Sequence, residues 1–252
     1  MFIIHIHRCT YLSGQMHEIG HNLGLAHANE AGTYKDQSGM MGYSYSSDNG
    51  PRMCFNSAKS WQLGWYSSRH ATYNFSTGAS TYRLIGLADY DIIDPQSDDR
   101  VVIKLNTGSS TDYYMSFNRQ TGINSGTQEA GNRVLIQRAG GEGTSYAESE
   151  LLAKLIAGNT YTLANFDGSG YDLTVTVNAI NTSVSPGYTD VTISAGCTSN
   201  AECDDGFACN GVELCDVGTL TCFTDPGSVC KFYIYMYTYL QVSFASNLSL
   251  VF

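Results

Sequence analysis

A chain of 252 residues can build one large domain or two modest ones, and 42% hydrophobic against 14% charged residues marks it as globular rather than disordered. A formal charge of -10 argues against nucleic acid as a partner, since phosphate binding needs a basic face, and it suits an anionic membrane surface no better. Gly 26 and Tyr 18 against Pro 4 lean towards a β-rich, turn-rich chain.

The first stretch, MFIIHIHRCTYLSGQ, has a short apolar run but no n-region, long h-region or small-residue cleavage site, so no signal peptide is read in it. His5 and His7 alternate as ligands on an extended segment would, but two histidines in a fraying terminus are the plainer account. Cys9 and Cys54 stand alone in the amino-terminal part and are candidates for a disulfide around it.

The segment His17-Glu-Ile-Gly-His-Asn-Leu-Gly-Leu-Ala-His27 carries the strongest chemistry. His17 and His21, four apart on a helix, present both imidazoles on one face, about 40° and one turn apart, where they can hold one metal. On a continued helix His27 would lie about 9 Å further along the axis than His21, too far for Zn–N bonds of about 2.0–2.1 Å. The chain must therefore turn back, and Gly24 is the residue that permits it. Three histidine ligands leave an open coordination position, the mark of a catalytic rather than a closed structural site. Zinc polarises a scissile carbonyl and lowers the pKa of its water; Glu18, beside His17, is placed to take that water's proton. The bland alternative is a helix bearing three solvent-exposed histidines.

Further on, TYRLIGL, DRVVIKL, TDYYMSF, NRVLIQ, DLTVTVNAI and TDVTISA show period-2 patterns, separated by turn clusters such as Asn106-Thr107-Gly108. Leu173, Val175, Val177 and Ala179 alternate with polar residues as a half-buried strand requires, and a β-sandwich is the expected arrangement. Cys197, Cys203, Cys209, Cys215, Cys222 and Cys230 follow at gaps of five to seven residues, a disulfide framework rather than a zinc ribbon, and hence an oxidising compartment. Asn74, Asn181 and Asn247 sit in N-x-S/T sequons, compatible with the same route. Asp204-Asp205-Gly206 reads as a solvated turn, lacking the ligand series of a calcium loop. From Phe232 to Phe252 there is no charged residue; a weak membrane anchor, an edge strand and non-native coding sequence all compete for this tail. The expected divisions are 1–66 (zinc-binding part), 67–195 (β-rich), 196–230 (cysteine-rich) and 231–252 (apolar tail).

HExxHxxGxxH followed fourteen residues later by Met41, in YKDQSGMMGYS, resembles the metzincin clan of metalloproteases, whose further mark is a methionine turn beneath the zinc. With CFNSAKSWQLGWY, DYYMSFNRQTGINSGT and LIAGNTYTL, the chain resembles the gametolysin family within that clan, over the first 195 residues or so. The resemblance implies His17, His21 and His27 as zinc ligands, Glu18 as base, Met41 as the turn methionine, and Tyr43 as a displaceable fifth ligand that stabilises the tetrahedral intermediate. Asn56 is placed to cap the helix after the turn, with Trp61, Leu63 and Trp65 packed under the site. Such enzymes are secreted endopeptidases of cell-wall or matrix glycoproteins, with a whole subdomain ahead of the zinc helix. Sixteen residues precede His17 here, so the expectation is a chain incomplete at its start. The expected class is α+β: the carboxy-terminal half of a metzincin catalytic domain, a β-sandwich-like region and a small disulfide-rich module. The expected function is hydrolysis of extracellular or cell-wall proteins with Zn2+, outside the cell. The alternative is a non-catalytic extracellular binding protein that uses the β-rich and cysteine-rich regions and keeps a vestigial protease segment.

Overall fold

The computed structural model describes residues 11–42, 52–77, 79–168, 170, 172–195, 200, 203, 211–216 and 221–225. His5, His7, Cys9, Tyr43, the Asp204-Asp205-Gly206 turn and the tail 231–252 lie outside these. The chain divides into two compact units, Met1–Ile193 and Ser194–Phe252. The class is α+β, with much sheet and little helix.

The first unit runs α1 (Leu12–Asn22), β1 (Ala28–Asn29), α2 (Ser57–Gln62), β2 (His70–Asn74), β3 (Ser80–Ile85), β4 (Val102–Asn106) and β5 (Asp112–Asn118). It continues with β6 (Arg133–Ala139), β7 (Ser149–Leu155), β8 (Thr160–Leu163), β9 (Leu173–Asn181) and β10 (Tyr188–Ala195), the last of which runs across the division at Ile193. All six segments with period-2 patterning are strands. β1, β2, β7 and β8 lie outside those segments, β7 although Ser149, Leu151, Ala153 and Leu155 alternate as buried positions along it. Serine and alanine at two of those four positions dilute the apolar signal on which such alternation is recognised.

One sheet has the order β1-β7-β6-β5-β4-β2 and a second the order β3-β10-β9-β8. In the first, β1–β7 and β2–β4 are parallel and the other pairings antiparallel. The register puts Ile103 and Ile136 beside Met115 and Val134 beside Phe117, so the middle of one face of the sheet is apolar, with Arg138 and its ion-pair partner Glu150 at its margin. Each of these apolar side chains is fully buried, worth about 1.5–3 kcal/mol apiece. The opposite face is polar at its centre, with Asp112, Tyr114, Ser116 and Gln137, and Lys104 reaches Asp112 at 2.7 Å.

Helix α2 rests on β4, β5 and β6. Asn56 caps it as expected, Oδ1 accepting from the Lys59 amide at 3.1 Å. Ser57 hydrogen-bonds Gln137, while Ala58 and Trp61, three apart and so on one helix face, pack on Tyr114. This corrects one expectation. Trp61 does not lie under the histidines; it faces the sheet and stacks on His70 at 4.1 Å. Trp65 lies against Phe55, which belongs with Leu25, Met40 and Met41 to the cluster beneath α1, and Leu63 packs on the same cluster.

The disulfide at Cys54 is also corrected, because Cys54 is a free, buried thiol. It packs among Ile85, Leu87, Ile93, Val101 and Val102 as a small hydrophobe, and burial pushes its pKa up to about 12. In the second unit β11 (Val212–Asp216) and β12 (Thr221–Asp225) form an antiparallel pair. Cys203 is bonded to Cys222, and Cys215 is also disulfide-bonded, so every described cysteine of this module is in a disulfide. The 19-residue separation of Cys203 and Cys222 makes that cross-link worth about 3 kcal/mol by chain entropy. No helix among the described residues is long and apolar enough to cross a membrane.

Candidate metal centre

Helix α1 is a poor helix by composition, with two glycines and no side-chain cap at Tyr11. Its buried residues are Ser13, Gly14, His17 and Gly20, at helical spacing, whereas Ile19 and Leu23 are about half exposed. The small inward residues bring the helix close to Met41: a Cβ on Gly20 would overlap Met41 Sδ and stand 3.2 Å from Phe55 Cε1. The methionine side chain is thus the floor on which the ligand-bearing turn rests.

The helix ends where the sequence requires. Gly24 has φ +82°, its amide donates to the His21 carbonyl, and the Leu25 amide donates to Gly20. These two bonds make a Schellman motif and satisfy carbonyls that the helix would leave open. Gln62 of α2 donates to the Gly24 carbonyl at 2.8 Å, tying the turn to the next helix. The chain then reverses into β1, where Ala28 donates to the Met41 carbonyl and the Ser149 amide donates to the His27 carbonyl.

The ligating nitrogens of His17, His21 and His27 all lie within 4.8 Å of one another, a group able to hold a metal ion. Nδ1 of His17 faces the Met40 carbonyl at 3.0 Å and Nδ1 of His21 faces the Leu25 carbonyl at 2.8 Å. Donation to those carbonyls leaves each Nε2 with a free lone pair, the form a metal requires. The Nε2 atoms of His21 and His27 are 3.1 Å apart. The edge of a tetrahedron with metal–nitrogen bonds of 2.0–2.1 Å is about 3.3 Å, so these atoms fit a common zinc-sized ion. Burial lowers the pKa of His17 and of His27; at His17 the hydrogen bond to the Met40 carbonyl opposes this, and the charge of His21 lowers both. The net direction at both rings favours neutral imidazole. Glu18, on the same turn of α1, is exposed.

Three groups that sequence reading passed over complete the surroundings. Asp36 is fully buried and accepts from the amide and hydroxyl of Ser38 and, at 3.0 Å, from Asn56 Nδ2. The same Asn56 amide nitrogen reaches Ser149 Oγ at 3.0 Å. Asp36, the cap of α2 and the start of β7 are therefore one network, and it fixes the loop that offers Met40 to His17. Burial raises the pKa of Asp36, opposed by these hydrogen bonds. Lys59 is buried too, donates from Nζ to the Ala147 carbonyl at 2.5 Å, and has its pKa pushed down to about 8 by burial. Tyr34 lays its ring 4.1 Å from that of His27 and 6.1 Å from that of His17, centroid to centroid. It does so with φ +64°, a left-handed backbone that costs a bulky residue roughly 1–2 kcal/mol.

A cavity of about 300 Å³ beside α1 is lined by Leu12, Met16, Met40, Cys54, Phe55 and Trp65. It is apolar and includes none of the three histidines. The chemistry therefore belongs to the histidine cluster and not to this hollow.

A three-histidine cluster on a helix and its glycine-turned return defines the class: a chain equipped to hold a metal ion beside an acidic side chain. The sequence model described as gametolysin peptidase M11 matches residues 3–167, about two thirds of the chain, and the chain belongs to that peptidase family. The match takes in α1 to β8 and all three histidines and stops short of β9 and β10. No curated protein and no solved structure matches the chain.

Proposed function

We propose that the chain is a zinc-dependent endopeptidase that hydrolyses internal peptide bonds of extracellular or cell-wall proteins and glycoproteins. The observation that carries this is the convergence of His17, His21 and His27, two of them held by backbone carbonyls, with Glu18 on the same helical turn. His17, His21 and His27 would hold zinc, which would supply Lewis-acid polarisation of a carbonyl and acidification of water. The carboxylate of Glu18 removes a proton from the attacking water and delivers it to the leaving amine nitrogen. Tyr43, outside the described residues, is the proposed donor to the developing oxyanion. Met40, Met41, Leu25 and Leu63 keep water from the underside of the ligands.

In this reading α1, the turn at Gly24, the loop carrying Met41 and α2 make up the carboxy-terminal part of a metzincin catalytic domain. The two sheets are its sandwich-like support, and the disulfide-bonded module extends the chain towards a wall or matrix substrate. The disulfide between Cys203 and Cys222 supports an oxidising, extracellular setting, and the net charge of -10 disfavours nucleic acid.

The test is to express the chain, determine zinc by elemental analysis and assay gelatin cleavage beside Glu18→Ala. The expected result is one zinc per chain in both proteins and cleavage lost in the variant. Zinc bound without any Glu18-dependent cleavage would sink the enzyme reading and favour a non-catalytic binding protein. A chain that binds no zinc would sink the metal centre itself.

A further inference from the structure

A histidine ligand works only when its ring is aimed, and the usual device is a hydrogen bond from the nitrogen that does not bind the metal. His17 and His21 have that device, their Nδ1 atoms facing the carbonyls of Met40 and Leu25. For His27 no protein acceptor faces Nδ1 among the described residues. The only hydrogen-bonding contact of its ring among them is from Nε2 to Nε2 of His21, on the ligating side. His27 is also the ligand that does not sit on a helix, coming instead from the extended return just before β1. The ring that bears the open question of orientation is therefore the one on the least regular backbone.

What packs against it is Tyr34. The two rings are 4.1 Å apart and inclined at 49°, and the tyrosine also reaches towards His17 at 6.1 Å. Tyr34 is not there by default. Its left-handed φ of +64° follows Ala31 at φ +47° and a tight turn in which Glu30 and Lys35 both donate to the Gly32 carbonyl. The Tyr34 amide is fixed by Asn29 Oδ1 at 3.1 Å, and Asn29 belongs to β1, two residues beyond His27. Asn29 in turn donates from Nδ2 to Glu148 at 2.8 Å. The loop is folded back and pinned so that an aromatic face meets the third imidazole. Strain kept at a bulky residue beside a ligand cluster points to a function for that residue.

We infer that Tyr34 is the positioning residue of the third ligand: its ring face, rather than a hydrogen bond, holds the His27 imidazole in the orientation that converges with His17 and His21. This rests on the zinc-site reading above. The phenol hydroxyl has no part in it, so Tyr34→Phe retains the function. Tyr34→Gly removes the ring and the backbone strain together, which separates positioning from general stability.

The experiment measures zinc affinity by chelator competition for the wild type, Tyr34→Phe and Tyr34→Gly, with Co2+ absorption spectra and metal-free melting temperatures alongside. Tyr34→Phe should match the wild type within about twofold. Tyr34→Gly should bind zinc roughly ten- to a hundredfold more weakly, the usual cost of losing a residue that orients a ligand. Its Co2+ bands should be altered, with metal-free melting within a few degrees of wild type. Unchanged zinc affinity and Co2+ spectrum in Tyr34→Gly overturns the inference while leaving the zinc site standing. A fall in metal-free melting that accounts for the whole loss of affinity also overturns it. Absence of zinc binding in the wild type removes the reading beneath it, and the inference with it.

Discussion

Gly20→Ala tests how closely the ligand helix is fitted to its floor. In an isolated helix alanine is better than glycine by about 1 kcal/mol. Here the added Cβ would overlap Met41 Sδ, with Met41 Cε and Phe55 Cε1 each 3.2 Å away. Met41 is fully buried and cannot step aside freely, because its own carbonyl accepts from Ala28 and the adjoining Met40 carbonyl faces His17. Overpacking of this kind costs about 1–3 kcal/mol, and an overlap with the middle of a side chain falls at the upper end. The net expectation is a loss of about 2 kcal/mol for Gly20→Ala in the native background. In a Met41→Ala background the overlap is gone and only the tight contact with Phe55 Cε1 is left, so the same substitution should stabilise by up to about 1 kcal/mol. The sign change corresponds to a coupling of up to about 3 kcal/mol in a double-mutant cycle, read from urea denaturation of the four metal-free proteins. If Gly20→Ala has the same effect in both backgrounds, Met41 does not support the helix and the account of the floor is wrong.

Gly24→Ala should behave differently, since a Cβ there meets nothing within 4 Å. The cost is conformational alone, about 1–2 kcal/mol for a left-handed φ of +82°; a variant as stable as wild type in urea would contradict the turn. Lys59→Met addresses the buried ammonium. With a folded pKa of about 8 against an ordinary 10.5, the unfolded chain binds the extra proton. The native lysine therefore penalises folding below pH 8, and the penalty disappears as pH rises to 10.5. The stability of Lys59→Met relative to wild type should fall by about 3 kcal/mol between pH 7 and pH 10.5. A difference that stays constant with pH would show that Lys59 is not desolvated.

The parts of the site legible in the sequence are those whose geometry is local. His17 and His21 share a helix face by spacing alone, and the place of His27 follows from the need for a break at Gly24. The cap at Asn56 was legible for the same reason, a side chain bonding an amide three residues on. What was not legible depends on long-range pairing or on unusual backbone. Asp36 finds Asn56 and Ser149 across 20 and, from Asn56, 93 residues, and nothing local marks it. Tyr34 reaches His27 only because Ala31 and Tyr34 take left-handed φ values that their side chains disfavour. Spacing alone does not choose between the two usable faces of a six-residue helix, so it does not place Trp61. Only the sheet register decides which of them is covered.

The pairing of β1 with β7 has a consequence for the order in which this protein is made. The metal ligands occupy eleven consecutive residues near the start of the chain. Yet the carbonyl of His27 is held by the amide of Ser149, and Ala28 and Asn29 pair with Ser149 and Glu150. During synthesis the first two ligands can form their helical turn early. The third cannot be locked until β7 has emerged and docked on β6. A nascent chain that lacks β7 is a two-histidine site with a loose third arm. The metal centre therefore matures only once β7 is in place, ahead of the second sheet that β8, β9 and β10 complete, and the ligand strand must wait, unpaired, for a partner about 120 residues downstream.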